Sequence, residues 1–235
     1  MSDVRAPSET TLVRALLIVA VAGLVASPIL DRVFYDCRQL ATGNRDAFWT
    51  LRIVGSIFPW MIVAMVIVRL DPSRAARRRA LILLLAIAAS LGTSICVKLV
   101  VRRLRPEFRA EAVAKDPTHR TYADYAYTWF EFRPWSDRPL YTGGLSFPSE
   151  HAAAAFAGAL ILSFYYPRAA PIWLAWAAGC AFTRVAIRAH YASDTMGSLL
   201  VAVAVSSGIY RALAPRWLAP RARALPNEEG ATDGR

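Results

Sequence analysis

Cysteine is scarce in this 235-residue chain, and the three present, Cys37, Cys96 and Cys180, are an odd number with neither a paired framework nor metal-ligand spacing. A disulfide scaffold and a structural metal module are thereby excluded, and the cysteines read as small apolar packing residues. Acidic side chains are also few, 17 against 28 lysines and arginines, with 19% of residues charged. The shortage follows a pattern. Residues 11–30, 53–69, 80–100, 152–167, 169–187 and 195–213 run through most of their length without Asp, Glu or Lys. No internal repeat divides the chain, which argues for one compact unit. What is abundant is apolar surface: 56% hydrophobic residues and a mean hydropathy of +0.33 are too apolar for a soluble domain of this size.

The six apolar stretches predict an all-α fold, a bundle of six transmembrane helices. Their charge-free cores are short, so Arg14, Arg69 and Arg184 must sit near helix ends and reach toward headgroups to cover about 30 Å of hydrocarbon. The first stretch resembles a signal peptide in its flanking arginines, but Pro28 just beyond Val25-Ala26-Ser27 makes a poor cleavage region, and the stretch is read as the first span. Pro59 is expected to kink the second span.

The formal net charge of +11 reports orientation rather than nucleic-acid binding. Arg69, Arg74, Arg77, Arg78 and Arg79 crowd the link between spans two and three, while Arg211, Arg216, Arg221 and Arg223 follow or close the last span. Both segments are expected on the cytoplasmic side. Residues 31–52, 101–151 and 188–194 then face outward. Residues 1–10 are expected to be a disordered N-terminus, 11–213 the membrane domain and 214–235 a polar cytoplasmic tail. The outer loop 101–150 carries Tyr122, Tyr125, Tyr127, Trp129, Phe130, Phe132, Trp135 and Tyr141. Such aromatics favour the membrane interface, so the loop is expected to lie there in short interfacial helices or as a lid.

Three polar constellations carry chemistry. Lys98 precedes Arg105-Pro106 by seven positions, about two helical turns, and a cation pair at a helix end calls for an anion. Phe147-Pro148-Ser149-Glu150-His151 opens the fourth span, with Ser149 as N-cap candidate and free backbone N–H groups suited to phosphate. Thr183-Arg184, His190 and Asp194 precede the sixth span, and Asp194 four positions after His190 is placed to orient its imidazole. The topology assigns all three to one membrane face.

Lys98-x6-Arg105-Pro106, Pro148-Ser149-Glu150-His151 and Arg184-x5-His190-x3-Asp194 together resemble the signature motifs, in order, of the phosphatidic acid phosphatase type 2 superfamily. Glu150 stands where glycine is usual and Thr183 where serine is usual. A Glu at the first helical position is expected to point away from the pocket. The resemblance implies His190 as nucleophile, Asp194 as its orienting partner and His151 as general acid and then base. It also implies Lys98, Arg105, Ser149 and Arg184 as the phosphate clamp, with neither metal nor cofactor. The implied protein sits in the bacterial inner membrane with its site facing the periplasm or exterior. Its substrate would be a membrane lipid phosphate or pyrophosphate of the undecaprenyl pyrophosphate, phosphatidylglycerophosphate, phosphatidic acid or lipid A class. Phosphotransfer to a lipid acceptor is the alternative with the same intermediate. A membrane transporter is the alternative of another class, but its charges would be spread through the bilayer depth. Soluble acid phosphatases and vanadium haloperoxidases share the motifs and lack the six spans. Nothing in the sequence sets the oligomeric state.

Overall fold

The computed structural model describes residues 8–35, 45–106, 132–137 and 139–218. Among these residues the chain forms α-helices, one 3-10 turn at Pro167–Ala169 and two isolated bridges. The helices are α1 (Glu9–Val25), α2 (Ser27–Tyr35), α3 (Arg45–Ile53), α4 (Ile57–Leu70), α5 (Ala76–Val101), α6 (Glu150–Tyr165), α7 (Ala170–Ala186) and α8 (Ala192–Trp217). The all-helical expectation therefore holds over the described residues.

Helix α6 occupies the centre and packs against α5, α7 and α8. Its sequence explains the position. Residues Ala152 through Ser163 are all buried, and a helix apolar on every side has no face to give to solvent. Four consecutive alanines and Gly158 keep it thin enough for close neighbours. A Cβ at Gly158 would lie 2.5 Å from the Trp60 ring, so this side chain of α4 packs directly on the glycine. Around this core, α1 lies on α8, α4 on α5 and α3 on α7.

The six apolar stretches map onto α1, α4, α5, α6, α7 and α8 in order. Among the described residues, only α5 and α8, 26 residues each, are long and apolar enough to cross a membrane. Helix α4 has 14 residues, α6 16, and α1 and α7 17 each. At 1.5 Å per residue, α4 spans about 21 Å.

Several boundaries differ from expectation for physical reasons. Glu9 and Thr10, expected in a disordered terminus, are helical because the Ser8 hydroxyl accepts the Thr11 N–H at 3.2 Å and caps the first turn. At the other end α8 continues to Trp217, past the start expected for the tail. Pro59 falls in the first turn of α4, where an N–H has no intrahelical acceptor to lose, so it opens the helix instead of bending its middle. The described part of the outer loop, from Phe132 onward, is built of turns rather than interfacial helices. Cys37, the aromatics from Tyr122 to Phe130, residues 1–7 and 219–235 lie outside the described residues.

The return of the loop is fixed by a short clip. Ser146 donates its N–H to the Arg103 carbonyl at 2.6 Å, and Arg105 donates to the Gly144 carbonyl at 3.0 Å. Arg102 closes α5 in the left-handed region, φ 56°, and its buried guanidinium donates to the carbonyls of Arg133, Pro134, Asp137 and Pro139. One side chain thus gathers Arg133, Pro134, Asp137 and Pro139 and sets the clip on the end of α5.

Candidate active site

Every site residue read from the sequence lies at one end of the bundle. Lys98 is in the last turn of α5 and Arg105 follows the helix, Ser149 and His151 open α6, Arg184 is in the last turn of α7, His190 is in the α7–α8 link, and Asp194 is in the first turn of α8. The link is short because α7 stops sharply. Arg188 adopts the left-handed region, φ 58°, and the His190 N–H returns to the Arg184 carbonyl at 3.1 Å. That reversal carries Arg184 and His190 into the same neighbourhood.

His190 is 2% exposed, and its Nδ1 lies 2.8 Å from the Ser146 carbonyl oxygen. A carbonyl only accepts, so Nδ1 carries the hydrogen and donates it, which leaves Nε2 as the lone-pair nitrogen. Burial pushes the imidazole down to about 4, against the opposing pull of Asp194, and the ring is neutral at pH 7. The sequence reading gave Asp194 the task of fixing this tautomer. Asp194 Oδ2 stands 3.6 Å from Nδ1, beyond hydrogen-bond length, so the Ser146 carbonyl fixes the tautomer and the carboxylate supports it electrostatically.

Asp194 is fully buried, and both oxygens are spoken for. Oδ2 accepts the Tyr191 N–H at 2.8 Å, and Oδ1 accepts from Arg103 Nη1 at 2.9 Å. Arg103 also donates Nη1 to the Ser193 hydroxyl at 2.6 Å and Nη2 to Asp31 Oδ2 at 3.1 Å, and its guanidinium lies 3.9 Å from the Tyr191 ring centroid. Asp31 in turn accepts the Ser193 N–H at 2.7 Å. One buried cation between two carboxylates, with a hydroxyl and an aromatic face, is a compensated cluster and not a lone buried charge. The sequence reading missed Arg103, Asp31, Ser193 and the Ser146 carbonyl.

The remaining side chains present positive charge to the same region. Lys98 is 1% exposed, and its ammonium donates to Glu150 Oε1 at 2.6 Å. Glu150 therefore turns toward the site, against the expectation that it points away. Arg105 anchors through Nε to the Leu145 carbonyl at 3.2 Å, and its charge reaches Lys98. Arg184 is 5% exposed and acts electrostatically on both His151 and His190. Ser149 caps α6 and is tied to α8 through its carbonyl, which accepts the Ser198 hydroxyl at 2.8 Å. The Thr183 hydroxyl donates to the Cys180 carbonyl of its own helix at 2.7 Å, so the Ser-to-Thr departure is absorbed within α7. Buried cations and a helix N-terminus form a set of donors for an anion, beside a neutral imidazole whose Nε2 carries a lone pair.

A family model described as the PAP2 superfamily matches residues 79–218, a stretch that takes in all three constellations. No curated protein and no solved structure matches the chain.

Proposed function

The chain belongs to the PAP2 superfamily, and from that premise we propose that it is an integral-membrane phosphatase acting on a lipid phosphate or pyrophosphate through a phosphohistidine. Members of the superfamily are phosphatases, which makes a hydrolase the function class. The observation that carries the finer reading is the placement of a neutral His190, with Nδ1 engaged, among Lys98, Arg105, Arg184 and the α6 N-terminus.

In the first step Nε2 of His190 attacks phosphorus in line, forming the N–P bond as the bond to the lipid oxygen breaks. His151 gives a proton to that leaving oxygen; burial and Arg184 hold its imidazole down to about 4 in the empty site, so the proton is one it takes up as the anionic phosphate binds beside it. In the second step His151, now neutral, takes a proton from water, whose oxygen attacks phosphorus; the N–P bond breaks and inorganic phosphate departs. His190 ends each turnover as it began. Lys98, Arg105, Arg184 and the N–H groups beside Ser149 hold the phosphate oxygens, where removal of one such donor costs about 3 kcal/mol of transition-state stabilisation. As His190 gains positive character, the buried Asp194 carboxylate offsets it.

Membrane placement is supported by the outward face of the molecule. Ile18, Val21 and Val25 on α1, Phe58, Met61, Ile62 and Met65 on α4, and Ile172 and Trp176 on α7 are all more than half exposed. Apolar surface on this scale fits acyl chains better than water. The proposed site opens toward the periplasm, because the arginine-rich α4–α5 link and the end of α8 lie at the opposite end of the bundle. Arg78 Nη1 bonds the Trp217 carbonyl there at 2.8 Å.

The test is chemical trapping. Purified protein incubated with a ³²P-labelled lipid phosphate and quenched in base is expected to carry label on His190, and His190→Ala neither to carry label nor to release phosphate. An active His190→Ala protein sinks the proposal. Running a panel of lipid phosphates and pyrophosphates, with and without an acceptor lipid, separates the substrates and distinguishes hydrolysis from phosphotransfer.

A further inference from the structure

The proposed phosphate site already holds an anion, and it belongs to the protein. Lys98 brings an ammonium into an almost fully enclosed position at the end of α5, where an uncompensated charge is costly. Its compensation comes from Glu150, whose Oε1 accepts from Nζ at 2.6 Å. The Glu150 side chain is about one-third exposed while that of Lys98 is 2% exposed, so the carboxylate is the partner with room to move.

The position of Glu150 matters as much as the pairing. It is the first residue of α6, between the cap Ser149 and His151, so its backbone belongs to the helix start that offers N–H groups to phosphate. Its carboxylate lies within electrostatic reach of Lys98, His190 and His151 together. The same cation and the same two imidazoles are those a phosphoryl group must meet in the proposed reaction. A carboxylate and a phosphate cannot both take the strongest share of one ammonium, because the two anions repel each other in a site poorly screened by water.

We propose that Glu150 is a displaceable anion that occupies Lys98 in the empty site, so that substrate phosphate must take the ammonium from it and departing phosphate is replaced by it. This rests on the phosphatase reading above and adds to it a specificity-determining residue. The carboxylate carries one negative charge and two acceptor oxygens. A phosphate monoester dianion carries more of both and wins the exchange, particularly when an acyl chain adds binding energy elsewhere. Inorganic phosphate lacks that chain and competes poorly, so product leaves readily. A phosphodiester, with a single negative charge, gains little over the glutamate. Glu150 thus favours tailed dianions and pyrophosphates over small or singly charged phosphates.

Binding of inorganic phosphate to detergent-purified full-length protein, followed by titration calorimetry at pH 7, tests this without turnover. Glu150→Gln and Glu150→Ala are each expected to bind phosphate about tenfold more tightly than the unsubstituted protein, equivalent to about 1.4 kcal/mol. Adding Lys98→Met to Glu150→Gln is expected to abolish the gain, which a merely structural effect of residue 150 would not do. Two independent replacements guard against one that fails to fold, and orthovanadate serves as a second probe of the same exchange. Unchanged or weaker phosphate binding in folded variants overturns the role of Glu150 and leaves the phosphatase reading standing if lipid phosphate is still hydrolysed. Absence of phosphate binding in every form, with no hydrolysis of any lipid, overturns both.

Discussion

Arg103 is the residue on which the geometry of His190 depends without touching it. It holds Asp194 Oδ1 at 2.9 Å and Asp31 Oδ2 at 3.1 Å, and its own carbonyl accepts the Ser146 N–H, so the carbonyl that orients His190 and the carboxylate behind it share one support. Lysine keeps the charge but loses the planar fork that bridges two carboxylates. Arg103→Lys is expected to lower kcat at least about tenfold while KM for lipid phosphate stays within about twofold, because the phosphate clamp is untouched. A Tm measured alongside separates this from unfolding, since loss of one partner from a buried ion cluster costs about 3–5 kcal/mol. A fall in KM affinity with unchanged kcat would contradict the positioning role. None of this was legible in the sequence. His190 and Asp194 announced themselves by their spacing, and Pro106 singled out Arg105, but Arg103 sits among Arg102 and Arg105 with nothing to distinguish it. The Ser146 contribution is a backbone carbonyl, which has no side-chain signature at all.

At the scale of elements, the site is a junction of helix ends, and its precision depends on how closely they approach. The turn between α3 and α4 meets the start of α6 at Gly55, where an added Cβ would fall 2.6 Å from His151 Cβ and 2.9 Å from His151 Cα. A backbone atom cannot yield as a side chain does, so Gly55→Ala must move either the turn or His151. Overpacking of this kind costs about 1–3 kcal/mol, and the proposed general acid is at the point of contact. Gly55→Ala is expected to reduce stability by that amount in a denaturation series and to lower kcat severalfold more than it changes KM. Unaltered kcat would show that His151 tolerates the shift. The core helices were legible because apolar runs announce them, but their ends were not. Helix α5 starts at Ala76, four residues before the apolar run, since Arg77, Arg78 and Arg79 are good helix formers that an apolar criterion passes over. Helix α3 was missed for the same reason, its sequence being mixed polar and apolar.

Among the described residues, charged side chains are buried at one end of an otherwise apolar core, while many large apolar side chains lie on the surface. Lys98, Arg102, Arg103, Arg184, His190 and Asp194 are buried, whereas Ile18, Val25, Phe58, Leu70 and Ile172 are more than half exposed. The motifs gather at one end, and the arginines at Arg74, Arg77, Arg78 and Arg216 gather at the other. If that asymmetry reports insertion, the two ends must be reachable from opposite sides of the membrane. Ser136 and Arg74 are exposed residues at the site end and the arginine end respectively. In a background with Cys37, Cys96 and Cys180 replaced by serine, Ser136→Cys is expected to react with a membrane-impermeant maleimide on intact spheroplasts. Arg74→Cys is expected to react only after the membrane is broken. Labelling of both positions in intact cells, or recovery of the protein in the soluble fraction, would mean that the apolar exterior serves association with other protein surfaces. The proposed lipid substrate would then lose its route into the site, because a lipid phosphate reaches residues such as Lys98 and His190 only where the helix ends meet the headgroup layer.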